Sequence, residues 1–361
     1  MNQRPIMIMA GGTGGHIFPA LAVARDLMAR DIPVVWLGSR NGMEARLIPE
    51  TGIPIAWMKI GGLRGKGFMT WLAAPFRLLV AMGQAFRALR HYHPRMVLGM
   101  GGFVAGPGGA MAALMRIPLV IHEQNSVSGL TNRMLSRLAT RVLQAFPGSF
   151  KEDLNAQTVG NPVRPEINAV PAPEQRVRAS GGRLRVLVVG GSLGAQVFNE
   201  QLPRAIAAIE EAGRPEIWHQ AGEKKIEEAR AAYQAAGVEA RVEPFIKDMA
   251  EAYSWADLVI CRAGALTVSE LAAAGVASIL VPYPYAVDDH QTGNARYLSD
   301  AGAAILMPQE TMTPQSLTEH LVEFMHEPGR LIDMAHKAHA QARPDATRQV
   351  ADICVQVGGA S

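Results

Sequence analysis

The chain has 361 residues, 48% of them hydrophobic and 19% charged, with a formal net charge of +3. That length exceeds what one core usually organises, so two globular domains are expected. Two cysteines, Cys261 and Cys354, exclude a disulfide framework and zinc-type spacing, and Met1 to Pro5 lacks the apolar core of a secretory signal, so the cytosol is the expected compartment.

Strand and helix patterns alternate from the start. An apolar run, Ile6 to Met9, feeds the glycine turn Gly11-Gly12-Thr13-Gly14-Gly15, and a helical pattern follows through Phe18, Leu21, Ala24 and Met28. A strand that opens a helix through a glycine turn gathers backbone N–H groups and the positive end of a helix dipole at one point. This suits a phosphate, although such turns also serve where a helix packs close to a sheet. A strand at Val34 to Leu37 comes next. From Thr51 to His122 there is no acidic residue, while eight basic ones occur. Within that stretch the apolar run Phe68 to Phe76 is followed by Leu78, Leu79, Met82, Phe86 and Leu89 at helical spacing. It reads either as a surface that dips into an anionic bilayer or as a core-facing helix with solvated arginines; no nucleic-acid module is recognisable and no nucleic acid is expected. Met96 to Met115 is 20 residues without a charge, but six glycines and Pro107 make it a strand, a glycine turn and a helix rather than a membrane span. Strands at Leu119 to His122 and Val142 to Gln144 complete the first half. The stretch from Gly160 to Gly182, rich in Pro and Ala without period, reads as the interdomain connection.

The pattern then restarts. Strands are expected at Leu184 to Val189, Ile217 to Gln220, Val242 to Pro244, Leu258 to Cys261, Ser278 to Val281 and Ala304 to Met307, with helices such as Lys224 to Ala236 and Thr267 to Ala274 between them. The first of these strands runs into a second glycine turn, Gly190-Gly191-Ser192-Leu193-Gly194. Neither turn fits the dinucleotide fingerprint or the nucleotide-triphosphate loop, which speaks against a dehydrogenase or an ATPase. Leu331 to Gln356 reads as helix. The fold class is therefore α/β, two doubly wound parallel-sheet domains with a cleft between them: residues 1–163, residues 164–340, and a terminal segment 341–361 expected to pack back on the first domain.

Three clusters carry chemistry. Cys261-Arg262-Ala263-Gly264-Ala265-Leu266-Thr267-Val268-Ser269-Glu270 places a helix start after a strand, with N–H groups of Leu266 and Thr267 for a phosphate. Glu270 either compensates the helix dipole or accepts both hydroxyls of a ribose. In Asp288-Asp289-His290-Gln291-Thr292-Gly293-Asn294, Gln291 and Asn294 share one helix face and present the donors and acceptors that sugar hydroxyls need. For a general base the candidates are His16, beside the first turn, and Glu123, paired with His122 at a strand end.

Gly11-Gly12-Thr13-Gly14-Gly15-His16, Gly101-Gly102-Phe103-Val104-Ala105-Gly106-Pro107, His122-Glu123-Gln124-Asn125, Gly160-Asn161-Pro162-Val163-Arg164, Gly190-Gly191-Ser192-Leu193-Gly194-Ala195, Ala265 to Glu270 and Asp289-His290-Gln291 occur in one order. Over nearly its whole length the chain thereby resembles the bacterial peptidoglycan N-acetylglucosaminyltransferases that convert lipid I to lipid II. The resemblance implies a GT-B fold of two Rossmann-like domains. It implies donor-binding positions at Thr13, Gly14, Gly15, Asn125, Arg164, Ser192, Ile246, Ala265, Leu266, Thr267, Val268, Ser269, Glu270 and Gln291, with Ile246 meeting the uracil through its backbone. It also implies an inverting transfer from UDP-N-acetylglucosamine to the acceptor's 4-hydroxyl. No cofactor or metal is expected: the chain has no Asp-x-Asp pair, so dipoles, hydroxyls and the Arg164 cation would offset the leaving diphosphate. Lipid I, an anionic membrane surface at the cytoplasmic face of the inner membrane and cell-wall synthesis proteins are the implied partners, the enzyme being peripheral. The competing readings are a related transferase acting on another lipid, such as diacylglycerol, and a non-catalytic sugar-nucleotide-binding scaffold.

Overall fold

The computed structural model describes residues 3–59, 74–176, 182–191 and 194–359. The chain divides into unit 1, Met1–Arg164 with Pro344–Ser361, and unit 2, Pro165–Arg343.

Among the described residues, unit 1 holds seven strands: β1 (Ile6–Met9), β2 (Val34–Ser39), β3 (Ile55–Met58), β4 (Met96–Gly99), β5 (Leu119–Glu123), β6 (Arg141–Gln144) and β7 (Gln157–Thr158). They pair in the order β3-β2-β1-β4-β5-β6-β7, all parallel. A parallel sheet is covered on both faces, and the two-residue period of a strand splits its side chains between two cores. Ile6 and Ile8, with Val34, Trp36, Met96 and Leu98, join Ile17, Ala20, Val23, Ala24 and Leu27 of the helix Gly14–Ala29 and Val350, Ala351, Cys354 and Val357 of the helix Ala346–Gly359. Met7 and Met9, with Val35, Leu37 and Val97, join Ala81, Ala85 and Leu89 of the helix Ala74–Tyr92 and Met111 and Ala112 of the helix Ala105–Leu114.

Unit 2 repeats the plan with β8 (Arg185–Val189), β9 (Glu216–Gln220), β10 (Arg241–Glu243), β11 (Leu258–Cys261), β12 (Ala277–Leu280) and β13 (Ala304–Leu306). Their order is β10-β9-β8-β11-β12-β13, again all parallel. Val186, Val188, Leu258 and Ile260 pack with Phe198, Leu202 and Ile206 of the helix Gln196–Ala207 and with Leu317, Leu321 and Phe324 of the helix Pro314–His326. In each sheet the strand order reverses once, at β1/β4 and at β8/β11, and a doubly wound sheet places ligands outside the carboxyl ends of the strands at that point.

Four expectations are corrected. The first helix buries Leu21 and Ala24 as expected, together with Ile17, Ala20 and Leu27, but Phe18 is only partly buried and Met28 is exposed. The tail is two helices, Pro328–Ala340 in unit 2 and Ala346–Gly359 in unit 1, because Pro344 cannot continue a helix and restricts the residue before it. Residues 165–176 are not a loose connection: they form a short helix, Pro165–Asn168, and a 3-10 turn, Pro173–Arg176, and Arg176 donates to the carbonyls of Tyr253 at 3.1 Å, Ala274 at 2.8 Å and Gly275. The edge strands β3 and β7 were not anticipated. Most of the apolar segment Phe68 to Phe76 lies outside the described residues.

Candidate active site

At the switch point of unit 1 the turns after β1 and β4 lie against each other. Gly102 has φ +80°, and a Cβ there would stand 2.1 Å from the carbonyl oxygen of Gly11; a Cβ on Gly101 would stand 2.7 Å from His16 Nδ1. Only glycine permits this approach. Thr13 is the N-cap of the helix Gly14–Ala29, exposed and without a side-chain capping bond, so the N–H groups of Gly14 and Gly15 open the helix with no intrahelical acceptor. Gly12 is committed differently. Its N–H donates at 3.0 Å to Glu44 Oε2, and Glu44 Oε1 accepts from Ser39 N at 2.9 Å and Ser39 Oγ at 2.7 Å. Glu44 is fully buried and staples the turn to the end of β2. Sequence reasoning missed it, because its partner is 32 residues away and no spacing rule links the two.

His16 is held from behind. Its Nδ1 lies 2.7 Å from Gln124 Oε1, Gln124 Nε2 lies 3.0 Å from His122 Nδ1, and His122 Nε2 lies 2.9 Å from the carbonyl oxygen of Gly160. Burial pushes the His122 imidazole down to about 4, so it is neutral at physiological pH. The structure does not bring Glu123 to the same place. Its Oε1 accepts from Asn125 N at 3.0 Å and Asn125 Nδ2 at 3.1 Å, and its Oε2 from Gly129 N at 3.0 Å and Asn132 Nδ2 at 2.9 Å. Four donors on a buried carboxylate make Glu123 the organiser of the loop after β5, which corrects its candidacy as a base. Arg164, the last residue of unit 1 before the chain leaves, sets its guanidinium 5.5 Å from the ring centroid of Phe18.

Unit 2 shows the same economy. Ser192 lies outside the described residues. Gly194, at φ +68°, would place a Cβ 1.9 Å from the Ala221 carbonyl oxygen, so the turn after β8 is pressed onto the end of β9. Gln220, at that end, donates to the Gly191 carbonyl and accepts from Ile246 N, both at 3.0 Å. The Ile246 N–H is thus engaged within unit 2. Gly264 caps the helix Ala265–Ala274 with extended backbone and no side-chain cap. Ala265 and Val268 are buried, whereas Leu266, Thr267 and Ser269 are partly exposed; Ser269 Oγ donates back to the Ala265 carbonyl at 2.9 Å. Glu270, in the second turn, is buried and accepts at 3.2 Å from the Tyr253 hydroxyl, so one of its oxygens already has a donor.

Gln291 and Asn294 do not act as a pair. Gln291 Oε1 accepts from Tyr283 N at 2.9 Å, tying the helix His290–Ser299 to the loop after β12. Asn294 is fully buried and donates to the Ala263 carbonyl at 3.1 Å, an internal tie where a sugar reader was expected. The helix is entered through Asp288 and Asp289, both with positive φ, at +53° and +47°. Arg262 belongs to the first cluster, but the sequence assigned it no role. It donates to the carbonyls of Val281 and Pro282, each at 3.2 Å, and to Gln309 Oε1 at 2.6 Å, holding the loop after β12.

Paired doubly wound sheets, each with a glycine turn at its switch point, are the frame of the GT-B glycosyltransferases. The glycosyltransferase family 28 N-terminal domain matches residues 6–144 and the family 28 C-terminal domain matches residues 185–350. The chain is 58% identical over 354 residues to the UDP-N-acetylglucosamine–N-acetylmuramyl-(pentapeptide) pyrophosphoryl-undecaprenol N-acetylglucosamine transferase of Marinobacter nauticus, covering 98% of each chain. It is 53% identical to the transferase of the same description from Nitrosococcus oceani, again over 98% of each. The crystal structure of Acinetobacter baumannii MurG aligns with a TM-score of 0.85 at 44% identity, over 98% of this chain and 99% of that one. The chain belongs to glycosyltransferase family 28, and within it to the family of these N-acetylglucosamine transferases.

Proposed function

We propose that the chain moves N-acetylglucosamine from UDP-N-acetylglucosamine to the 4-hydroxyl of N-acetylmuramyl-(pentapeptide) pyrophosphoryl-undecaprenol, lipid I, giving lipid II. The observation that carries this reading is end-to-end similarity to transferases of that description, with the glycine turns, His16 and Glu270 in the positions the motifs require. The transfer is inverting and needs no metal. His16 takes the proton of the attacking hydroxyl as the anomeric bond to UDP breaks; positive charge develops on the sugar ring and negative charge on the diphosphate. The open helix start at Gly264 to Thr267 and the guanidinium of Arg164 meet that negative charge. Glu270 binds the ribose hydroxyls, the Ile246 carbonyl reads the uracil imide N–H, and Ser192 and Gln291 complete donor binding. The acceptor diphosphate rests against the turns after β1 and β4, and Thr13, Gly14, Gly15 and Asn125 serve the donor.

The enzyme works at the cytoplasmic face of the inner membrane as a peripheral protein. No helix among the described residues is long and apolar enough to cross a membrane. The helix Ala74–Tyr92 exposes Phe76, Leu78 and Leu79 alongside Arg77, Arg87 and Arg90, which suits an anionic bilayer and thereby favours the first of the two readings of this segment. Cell-wall synthesis proteins are the further partners. The purified chain, given labelled UDP-N-acetylglucosamine in EDTA, is expected to label lipid I and not diacylglycerol, and to yield the β-anomer. Transfer only to diacylglycerol, or only after magnesium is added, would overturn the reading.

A further inference from the structure

The hydrogen-bond chain behind His16 contains two groups that can only accept, and together they assign every proton in it. Gln124 directs Nε2 at the backbone carbonyl of His122, 3.0 Å away. A carbonyl has no hydrogen to give, so this end of the amide is the NH2 and the end facing His16 is the oxygen. His16 Nδ1, 2.7 Å from that oxygen, therefore carries the proton of the bond. At the far end His122 Nε2 meets the Gly160 carbonyl at 2.9 Å and must donate to it. A neutral imidazole has one proton, so His122 Nδ1 is an acceptor and takes the second amide hydrogen of Gln124 at 3.0 Å. Every donor finds an acceptor, and reversing any one member sets two lone pairs or two hydrogens against each other. The frame around the chain is equally tied: Asn161 Nδ2 donates to the Gln124 carbonyl at 3.1 Å, and Asn132 Nδ2 to the His122 carbonyl at 3.2 Å.

We infer that Gln124 and His122 are positioning residues that hold His16 as its Nδ1–H tautomer, so that the lone pair offered to a substrate hydroxyl is the one on Nε2. The inference rests on His16 being the general base and says how that base is prepared. Which ring nitrogen of a histidine is basic is set by the bond its other nitrogen makes. A carboxylate commonly supplies that bond, but here the neighbouring carboxylate, Glu123, is occupied by four donors and a neutral amide takes the place. An amide orients the ring without adding the negative charge that would favour the imidazolium. It also passes the constraint on, since the Gly160 carbonyl, 36 residues along the chain from Gln124, decides through His122 which way the amide faces.

Two-bond proton–nitrogen NMR spectra of the full-length protein, labelled with nitrogen-15 at histidine, read the tautomer directly, with His16→Ala identifying the signal. The wild-type ring, in its neutral form, is expected to show the Nδ1–H pattern; an Nε2–H pattern there overturns the inference without recourse to any variant. In Gln124→Leu the ring should move toward Nε2–H and kcat should fall about tenfold or more while the donor KM stays within about twofold. Gln124→Glu keeps an acceptor opposite Nδ1 and should restore the Nδ1–H pattern, but only part of kcat, because its second oxygen faces the His122 carbonyl and its charge favours the imidazolium. A Gln124→Leu enzyme that is folded, loses kcat and keeps the wild-type tautomer would sink the proposal. If the tautomer behaves as stated but His16→Ala remains active, the base assignment falls and the hydrogen-bond chain stands.

Discussion

Two carboxylates and two imidazoles show how environment separates residues of one type. Glu123 spends both oxygens on Asn125, Gly129 and Asn132, and Glu270 accepts from the Tyr253 hydroxyl. His16→Ala is therefore expected to lower kcat by about 10²- to 10⁴-fold with little change in donor KM, as removal of a general base does. Glu270→Ala should instead raise the donor KM strongly. Tyr253→Phe is the control: loss of one buried hydroxyl bond costs about 1 kcal/mol of stability and should move the donor KM much less, as initial-rate kinetics on the two variants will show. The buried imidazoles His122 and His219 set the acid limit. Burial pushes them to about 4 and about 3. Between those values and 6.5 the unfolded chain binds protons that the folded chain refuses, so stability is whole above about pH 6.5 and drains away as pH falls. For His122 alone the drop is worth about 3 kcal/mol by pH 4. The thermal midpoint should fall steadily over that window, and His219→Phe should flatten the slope.

At the scale of elements, the glycine turns are specified by contact as much as by conformation. Gly12 and Gly102 both have positive φ, at +98° and +80°, but a Cβ on Gly12 meets nothing within 4 Å while one on Gly102 meets backbone at 2.1 Å. Gly12→Ala should cost only the backbone strain, about 1–2 kcal/mol, and Gly102→Ala distinctly more, because the Gly11 turn must move. Chemical denaturation of both variants tests the difference. The turn was legible as a phosphate cradle; the Glu44 staple that withdraws the Gly12 N–H from that role was not. The first helix was legible too, but only half of its expected face, Leu21 and Ala24, is buried. A helix beneath a doubly wound sheet is apolar over much of its surface, and in Gly14–Ala29 partly buried Phe18 and exposed Met28 sit on the stripe that periodicity picks out.

For the whole chain, the segment that returns to unit 1 is part of that unit's core. Val350, Ala351, Cys354 and Val357 pack with Ile17, Leu21 and Ala24. At about 1.5–3 kcal/mol for each large apolar side chain buried, their loss is comparable with the marginal stability of a domain. Truncation after Arg343 should abolish or sharply lower the calorimetric transition of unit 1 and leave that of unit 2 in place. Loss of both transitions together would mean that the units do not unfold separately.

The places of the buried strands along the chain and the sites of the glycine turns were readable because they rest on local rules: continuous apolar runs for strands buried on both faces, helical periodicity between them, and glycine where backbone meets backbone. The family, too, was readable, since seven short motifs in one order are a property of the chain alone. What tertiary structure decided was which polar side chains face inward. Asn294, Glu123, Glu44 and Gln124 look alike as letters, and their roles are set by partners 2 to 108 residues away. A buried polar group must find its hydrogen bond wherever the fold supplies one. Sequence could name the imidazole and the carboxylates; only the folded chain could say which partners hold each of them.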